Sequence, residues 1–403
     1  MFYLKTIIFI GTNKSGSSRE ATKAAEKLGF FTVLFTNNAK QLEQRRTYPD
    51  IHKMVLIDTS NIDAMKDEID HLQRIGLSIQ SIVSFVDPFV HIASMLCDEF
   101  CHNVTSSTAI EIMEDKEQTR RLLQNQSYSP KFVLLKPYEK YVANMTFPII
   151  VKSPKSTGSK DVLLAKDPQQ LQQHIAFLQS KHPQENVMLE EYMDGPQYLV
   201  EALVYQRQPH LIGVMEQEIT QGQRFIITGY GVLSHLSQEM KTSLEEVLQS
   251  IVTALHIENG ALHLELRLTT QGWKLIEINP RISGGAMNRM LAAAFGFNLV
   301  EETLKLHVGQ VPMIQPKYRK FIYTKYVIVE RRGILEKVIG KNRAMKTKGV
   351  VGVYVKPKKG TLLTPPLSMG HRYAYVIAEG DTLAEAKNNA VTAAKEIKFI
   401  LKV

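Results

Sequence analysis

Two short runs hold most of the chemistry: His263-Leu264-Glu265-Leu266-Arg267 and Glu277-Ile278-Asn279-Pro280-Arg281. In an extended strand, residues two apart share a face. His263, Glu265 and Arg267 then point one way. Glu277 and Asn279 also share a face, and Arg281 lies just past Pro280. The turn Thr270-Gln271-Gly272 between the runs is short, so the two strands are expected to be neighbours. That pairing brings two carboxylates and an amide carbonyl onto one patch. Hard oxygen ligands of this kind suit Mg²⁺, and an arginine at their edge suits a phosphate or a carboxylate. Leu or Ile separates every charged residue, as on a cleft wall with apolar side chains behind it.

A second group is Lys152-Ser153-Pro154-Lys155-Ser156-Thr157-Gly158-Ser159-Lys160. A lysine ending an apolar strand, followed by a Ser/Gly loop, can wrap phosphates with backbone N–H groups. A third is Leu189-Glu190-Glu191-Tyr192-Met193-Asp194-Gly195, an apolar strand that ends in two acids. The loop Gly11–Ser18 lacks the lysine after its second glycine that a P-loop needs, and no G-x-G-x-x-G is present. It reads as a β-to-α turn whose serines cap a helix, with a substrate contact as the other reading.

In this order the set resembles the ATP-grasp superfamily of carboxylate–amine ligases. The resemblance rests on Asp115-Lys116, on Pro148 through Lys152 with the Ser156–Ser159 loop, and on Glu190 through Met193 with Gly195 and Glu201. It rests also on Glu265 and on Glu277 through Arg281 with Gly284-Gly285. It spans essentially the whole chain. The run His263-x-Glu265-x-Arg267, the Gly-Gly pair and the segment from Ala378 look most like bacterial L-amino-acid ligases. Those enzymes make dipeptides, often in antibiotic pathways.

The resemblance implies a role for each matching residue. Lys116 and Lys152 contact the nucleotide from two sides. Ser156, Thr157, Gly158 and Ser159 form a lid over the γ-phosphate. Glu190 meets the adenine amino group, and Glu191, Tyr192 and Met193 form the hinge beside adenine. Gln197 stands where many members carry an acid for the ribose. Glu265, Glu277 and Asn279 are the magnesium ligands, with Mn²⁺ as substitute and two ions expected. The catalytic set is Arg281, Gly284, Gly285, Lys155 and Ser156. Arg281 steadies the transferring phosphate. The Gly284 and Gly285 amides bind a substrate carboxylate or a developing oxyanion. His263 either orients a substrate or metal ligand or is structural; Arg267 binds a substrate carboxylate or pairs with a neighbouring acid. Asp87 and Pro88 end a strand where α/β proteins bind ligands. Glu216 and Glu218 are placed on a loop near the site, where acids would favour a basic, arginine-like amino acid.

The elements that must position these groups follow from the pattern. Apolar runs at Ile7–Ile10, Thr32–Phe35, Met54–Ile57 and Ile82–Phe85 alternate with helical stretches, which implies a parallel sheet covered on both faces. This Rossmann-like domain is placed at residues 1–113. A lid domain follows at 114–194, and one amphipathic helix is expected over Ile110–Leu123, across the boundary into it. The C-terminal ATP-grasp domain takes 195–403, with a helix over Met290–Leu306 and a closing α+β module from about 320. The overall class is mixed α/β and α+β.

The 403 residues are 44% hydrophobic and 22% charged, enough to bury several cores. Cys97 and Cys101 are the only cysteines, so no disulfide framework is expected and reduced thiols are the default. The net charge of +9 suits anionic partners. The basic residues are dispersed and no aromatic stacking motif alternates with them, which argues against nucleic acid. Lys5 interrupts the first apolar run, so it reads as a strand and not as a signal peptide. No apolar run approaches ~20 residues, so no membrane span and a cytoplasmic protein are expected. The leading expectation is an ATP-dependent ligase joining two amino acids, in the dimeric state common among such enzymes. The competing expectations are a ligase or carboxylase-like enzyme for a non-amino-acid substrate, and a non-catalytic ATP-binding regulator.

Overall fold

The computed structural model describes residues 4–102, 104–141, 145–155, 161–220 and 226–402. The chain opens with β1 (Leu4–Ile10), α1 (Ser17–Lys27), β2 (Phe31–Thr36), α2 (Ala39–Glu43), β3 (Lys53–Leu56), α3 (Ile62–Arg74), β4 (Leu77–Val83) and α4 (Val90–Phe100). The strands form a parallel sheet in the order β3-β2-β1-β4. Alternation along β1 explains why both faces are covered. Ile8 and Ile10 pack with Met65, Ile69 and Leu96 from α3 and α4, whereas Ile7 and Phe9 join a core shared with Leu299, Val300 and Leu304 far along the chain. One face of this sheet is therefore built against the C-terminal part.

Next come α5 (Ser107–Glu114) and α6 (Lys116–Leu123). The expected single helix over 110–123 is two. Asp115 is extended and its carboxylate accepts from the N–H groups of Glu117 and Gln118. An N-cap of this strength starts a new helix and turns its axis. An antiparallel sheet follows, built from β5 (Phe132–Leu135), β6 (Ile149–Lys152), β7 (Val162–Ala165) and β8 (Val187–Glu191) in the order β5-β8-β6-β7. Helix α7 (Pro168–Lys181) covers it with Leu171, Ile175 and Leu178.

The remaining elements are β9 (Gln197–Tyr205), β10 (Gln208–Thr220), β11 (Ile226–Val232), α8 (Gln238–Ala254), β12 (Gly260–Thr269), β13 (Gly272–Asn279), α9 (Met287–Phe295) and α10 (Leu299–His307). They continue as β14 (Phe321–Val327), β15 (Gly333–Ile339), α11 (Lys341–Met345), β16 (Val350–Val355), β17 (Leu362–Leu363), β18 (Ala374–Gly380), α12 (Leu383–Glu396) and β19 (Lys398–Lys402). Eight of these strands make one antiparallel sheet in the order β13-β12-β9-β10-β11-β14-β18-β16. Its two faces separate by alternation: Ala202 and Val204 pack under α8, and Leu203 packs with α9 and α10. The helix expected over 290–306 is also two, because Gly296 at φ 79° ends α9 and Asn298 caps α10.

Two further expectations change. Glu216 and Glu218 lie on β10 and not on a loop, since pairing with β9 and β11 carries the strand through both positions. The serines of the first loop do not cap α1. Its N-cap is Gly16 at φ 86°, and the Ser17 hydroxyl instead donates 2.5 Å to the Ser283 carbonyl. Cys97 and Cys101 are free thiols, one helical turn apart. Among the described residues, no helix is long and apolar enough to cross a membrane.

Gly195 joins β8 to β9 at φ 145°, and a Cβ there would sit 2.1 Å from the Leu268 carbonyl oxygen. Backbone conflict of this kind cannot relax through a flexible side chain. Gly195→Ala should therefore destabilise the protein by at least about 2 kcal/mol, read as a lowered midpoint in thermal or urea unfolding.

Candidate active site

The two acid-bearing runs are neighbouring strands. On the β12–β13 pair, His263 stands opposite Asn279 and Glu265 opposite Glu277. Burial raises the Glu265 pKa, and the facing Glu277 charge raises it further. Two carboxylates forced together in low dielectric call for a cation. Lys116, the first residue of α6, supplies one at 3.0 Å from Glu277, and Gln197 donates to Glu265 at 3.0 Å. Among the described residues, no group of three or more His, Cys, Asp or Glu could hold a metal. The donor set is two carboxylates and the Asn279 amide, an oxygen set that suits Mg²⁺.

His263 has a fixed partner. A ring nitrogen lies 2.7 Å from the buried Glu201 carboxylate, which also accepts from the Ser283 N–H. Burial works against the imidazolium, and the Glu201 charge outweighs it, so the His263 pKa is raised. Arg267 serves another place. A β-bulge follows Glu265, and the Arg267 guanidinium donates 2.7 Å to the Met193 carbonyl and lies over the Tyr192 ring. It thus braces the segment that leaves β8.

On the small sheet, Lys152 ends β6 and Glu190 lies on the adjacent β8. The Glu190 carboxylate is buried between Lys152 and Arg120, 2.6 Å from each. Burial would raise its pKa, but these two cations outweigh burial and hold it below the usual range. Arg120 also donates to the Leu275 and Ile276 carbonyls of β13 at 3.0 and 2.7 Å. Sequence reasoning missed Arg120. Its one available signal was helical spacing, four residues after Lys116 on the same face of α6. Glu191 accepts from the Lys131 N–H at 3.0 Å, and the Tyr192 N–H donates to the Pro148 carbonyl. Lys155 is exposed and its N–H donates to the Ser153 hydroxyl. Ser156, Thr157, Gly158 and Ser159 lie outside the described residues.

Arg281 pairs with Asp87, which with Pro88 forms a single turn after β4. The strand end of the first sheet thus meets the arginine of the second motif. Gly284 and Gly285 are exposed beyond it. Gly16 packs on them, since a Cβ at Gly16 would lie 3.1 Å from the Gly285 nitrogen. Glu218 is held away from this patch by Lys325, by Lys387 at 2.8 Å and by the Tyr323 hydroxyl at 2.7 Å. Glu216 stands opposite Tyr198 and Gly231 in the sheet.

Two predictions follow from these charges. Glu190→Gln leaves two buried cations without their carboxylate, and breaking a buried ion pair costs about 3–5 kcal/mol. Urea unfolding should show a loss on that scale. Burial alone would raise the Glu218 pKa, but the Lys325, Lys387 and Tyr323 hydrogen bonds bring it down to about 2. A depressed carboxylate contributes stability above its unfolded pKa and loses it as pH falls. Glu218→Gln should therefore melt below the wild type near pH 7, with the gap narrowing from about pH 5 toward pH 3.

Residues 145–289 match the model of the ATP-grasp domain, and residues 325–402 match that of the L-amino acid ligase C-terminal domain 2. An uncharacterized protein of Sinorhizobium fredii, y4rH, is 25% identical over 82% of this chain and 70% of its own length. Dapdiamide A synthase of Enterobacter agglomerans is 25% identical over 39% of this chain, and the match spans 38% of that enzyme. The crystal structure of an L-amino acid ligase from Bacillus licheniformis superposes with a TM-score of 0.84 at 18% identity, covering 100% of both chains. That structure carries the same fold along its whole length. The chain thus carries an ATP-grasp domain over residues 145–289 and an L-amino acid ligase C-terminal domain over residues 325–402, and its fold is that of an L-amino acid ligase.

Proposed function

We propose that the protein is an ATP-dependent L-amino-acid ligase. It joins two amino acids into a dipeptide through an aminoacyl phosphate and releases ADP and phosphate. The observation that carries the reading is the Glu265–Glu277 pair in cross-strand register, approached by Lys116, in a chain that ends in an L-amino acid ligase C-terminal domain. The relationship to dapdiamide A synthase supports peptide-bond chemistry.

A carboxylate is a poor electrophile, and transfer of the γ-phosphoryl group turns it into a good one. Lys152 and Lys116, which pair with Glu190 and Glu277 without nucleotide, bind phosphate oxygens in this reading. Glu191, Tyr192 and Met193 shape the adenine side, where Arg267 holds the Met193 carbonyl, and Gln197 is the candidate for the ribose. Mg²⁺ held by Glu265, Glu277 and Asn279 would supply charge neutralisation to the phosphates; two ions, with Mn²⁺ as substitute, belong to this reading. Arg281 steadies the phosphate and the acyl phosphate, and Lys155 and Ser156 belong to the same catalytic set. The exposed Gly284 and Gly285 amides face the oxyanion that forms when the amine attacks. His263, fixed by Glu201, orients that turn through Ser283. No enzyme nucleophile is needed. The substrates are two amino acids, the compartment is the cytoplasm and the assembly is a homodimer.

The test is to incubate the protein with ATP, Mg²⁺ and pooled amino acids and to read nucleotides and peptides by mass spectrometry. ADP with a dipeptide is the expected result; AMP, or ADP without any peptide, contradicts it. Glu277→Gln keeps the shape of a ligand and removes its charge. It should slow ADP release by about 100-fold or more, the scale of losing one group that stabilises a transition state. Near-wild-type turnover would refute the metal role.

A further inference from the structure

The sheet face that carries Glu265 continues well beyond the nucleotide. Register leads from Glu265 to Leu199, Met215 and Val232 on β9, β10 and β11. Side chains at alternate positions share a face, so Tyr230 looks the same way. Farther along, Tyr326, Tyr375 and Tyr354 stand directly opposite one another on β14, β18 and β16. The four rings form one row, with centroids 6.0, 5.5 and 4.7 Å apart. The row reaches the catalytic turn: a Cβ on Gly285 would lie 3.8 Å from the Tyr326 hydroxyl oxygen.

Three cations lie on this row: Arg289, whose guanidinium is 4.2 Å from the Tyr354 centroid and which pairs with Glu20, and two others, Arg372 and Lys356. The Arg372 guanidinium is 4.0 Å from the Tyr326 centroid and 5.9 Å from that of Tyr230. It donates to the Met369 and Ile227 carbonyls. The Lys356 ammonium is 6.0 Å from the Tyr326 centroid. Its pKa is lowered, first by burial and then by Arg372. Other cations around this end of the sheet have acids: Arg289 has Glu20, Arg281 has Asp87, and Lys325 has Glu218. Among the described residues, no carboxylate lies within ion-pair distance of Arg372 or Lys356. Two neighbouring cations without an acid repel one another until an anion joins them. The planar fork of an arginine suits a carboxylate.

We propose that Arg372 and Lys356, backed by the tyrosine row, bind a substrate carboxylate other than the one that is phosphorylated. It is either the side-chain carboxylate of an acidic amino acid or the free α-carboxylate of the attacking one. This inference rests on the ligase reading and names the substrate class of the same site. It stands in place of the expectation of a basic substrate, which rested on Glu216 and Glu218; of these, Glu218 is held in ion pairs with Lys325 and Lys387.

The test is steady-state ADP release by Arg372→Gln and Lys356→Gln against glutamate and glutamine, and against free amino acids and their amides. Losing a charged hydrogen bond should raise the KM of the carboxylate-bearing substrate roughly 10- to 100-fold. The KM for ATP should not move, and Arg372→Lys should recover part of the loss. A loss for glutamate alone assigns the side-chain carboxylate. A loss for every free amino acid but not its amide assigns the α-carboxylate. Unchanged KM values, or a fall in kcat alone, overturn the proposal. If the wild type releases no ADP with any amino acids, the ligase reading falls, and calorimetric titration of glutarate into the MgADP-loaded protein decides the site separately. Weaker binding by the exposed-site variant Lys356→Gln than by wild type sustains it; equal or absent binding overturns it.

Discussion

A single buried carboxylate, Glu190, is held by two cations that come from different parts of the chain. Lys152 belongs to the neighbouring strand of the small sheet, and Arg120 belongs to the helix that leads into it. Arg120 also reaches the Leu275 and Ile276 carbonyls of β13, immediately before Glu277. The small sheet is thereby coupled to the strand that carries the acids of the large one. Such a buried triad must keep all three members, because removing one leaves charge without water or partner. The cleft between the two sheets is then a consequence: its two walls are joined at their base by this cluster, and Lys116 and Gln197 close on the acids from either side.

The parallel sheet contributes in a different way. Its face toward the large sheet carries Ile7 and Phe9 into the shared apolar core, which seats the loop before α1 against the Gly284–Gly285 turn. Gly16 is required there by close approach as well as by its positive φ, and Ser17 adds a hydrogen bond to the same turn. Asp87, at the end of β4, meets Arg281. Groups separated by almost two hundred residues therefore adjoin, and the floor of the site is made by one domain and oriented by another. The tyrosine row extends that floor toward the closing module, whose strands β14, β16 and β18 belong to the same sheet as the acids.

Much of the core of the site was legible because it is local. The spacing of Glu265, Glu277 and Asn279 encodes a face of a strand, and a short turn leaves antiparallel pairing as the natural outcome. The alternation of strands and helices at the start likewise implies a covered parallel sheet. The misreadings were local too, but of a kind in which one residue outweighs a pattern. Asp115 divides one amphipathic stretch and Gly296 another, because a cap or a left-handed residue ends a helix whatever the periodicity around it. Glu216 and Glu218 looked like loop acids, yet pairing on both sides extends β10 through them.

Hydrophobic periodicity and motif spacing thus settle which residues share a face and which elements exist, since both depend on neighbours within a few positions of the chain. Partner choice depends on distances across the fold, and no spacing rule reports it. That Arg120 joins Glu190, that Arg267 braces the segment after β8 while His263 turns to Glu201, and that Arg372 and Lys356 have no acid among the described residues are all outcomes of packing. Charge in low dielectric is governed by what lies within a few ångströms, and only the folded sheets bring those groups together.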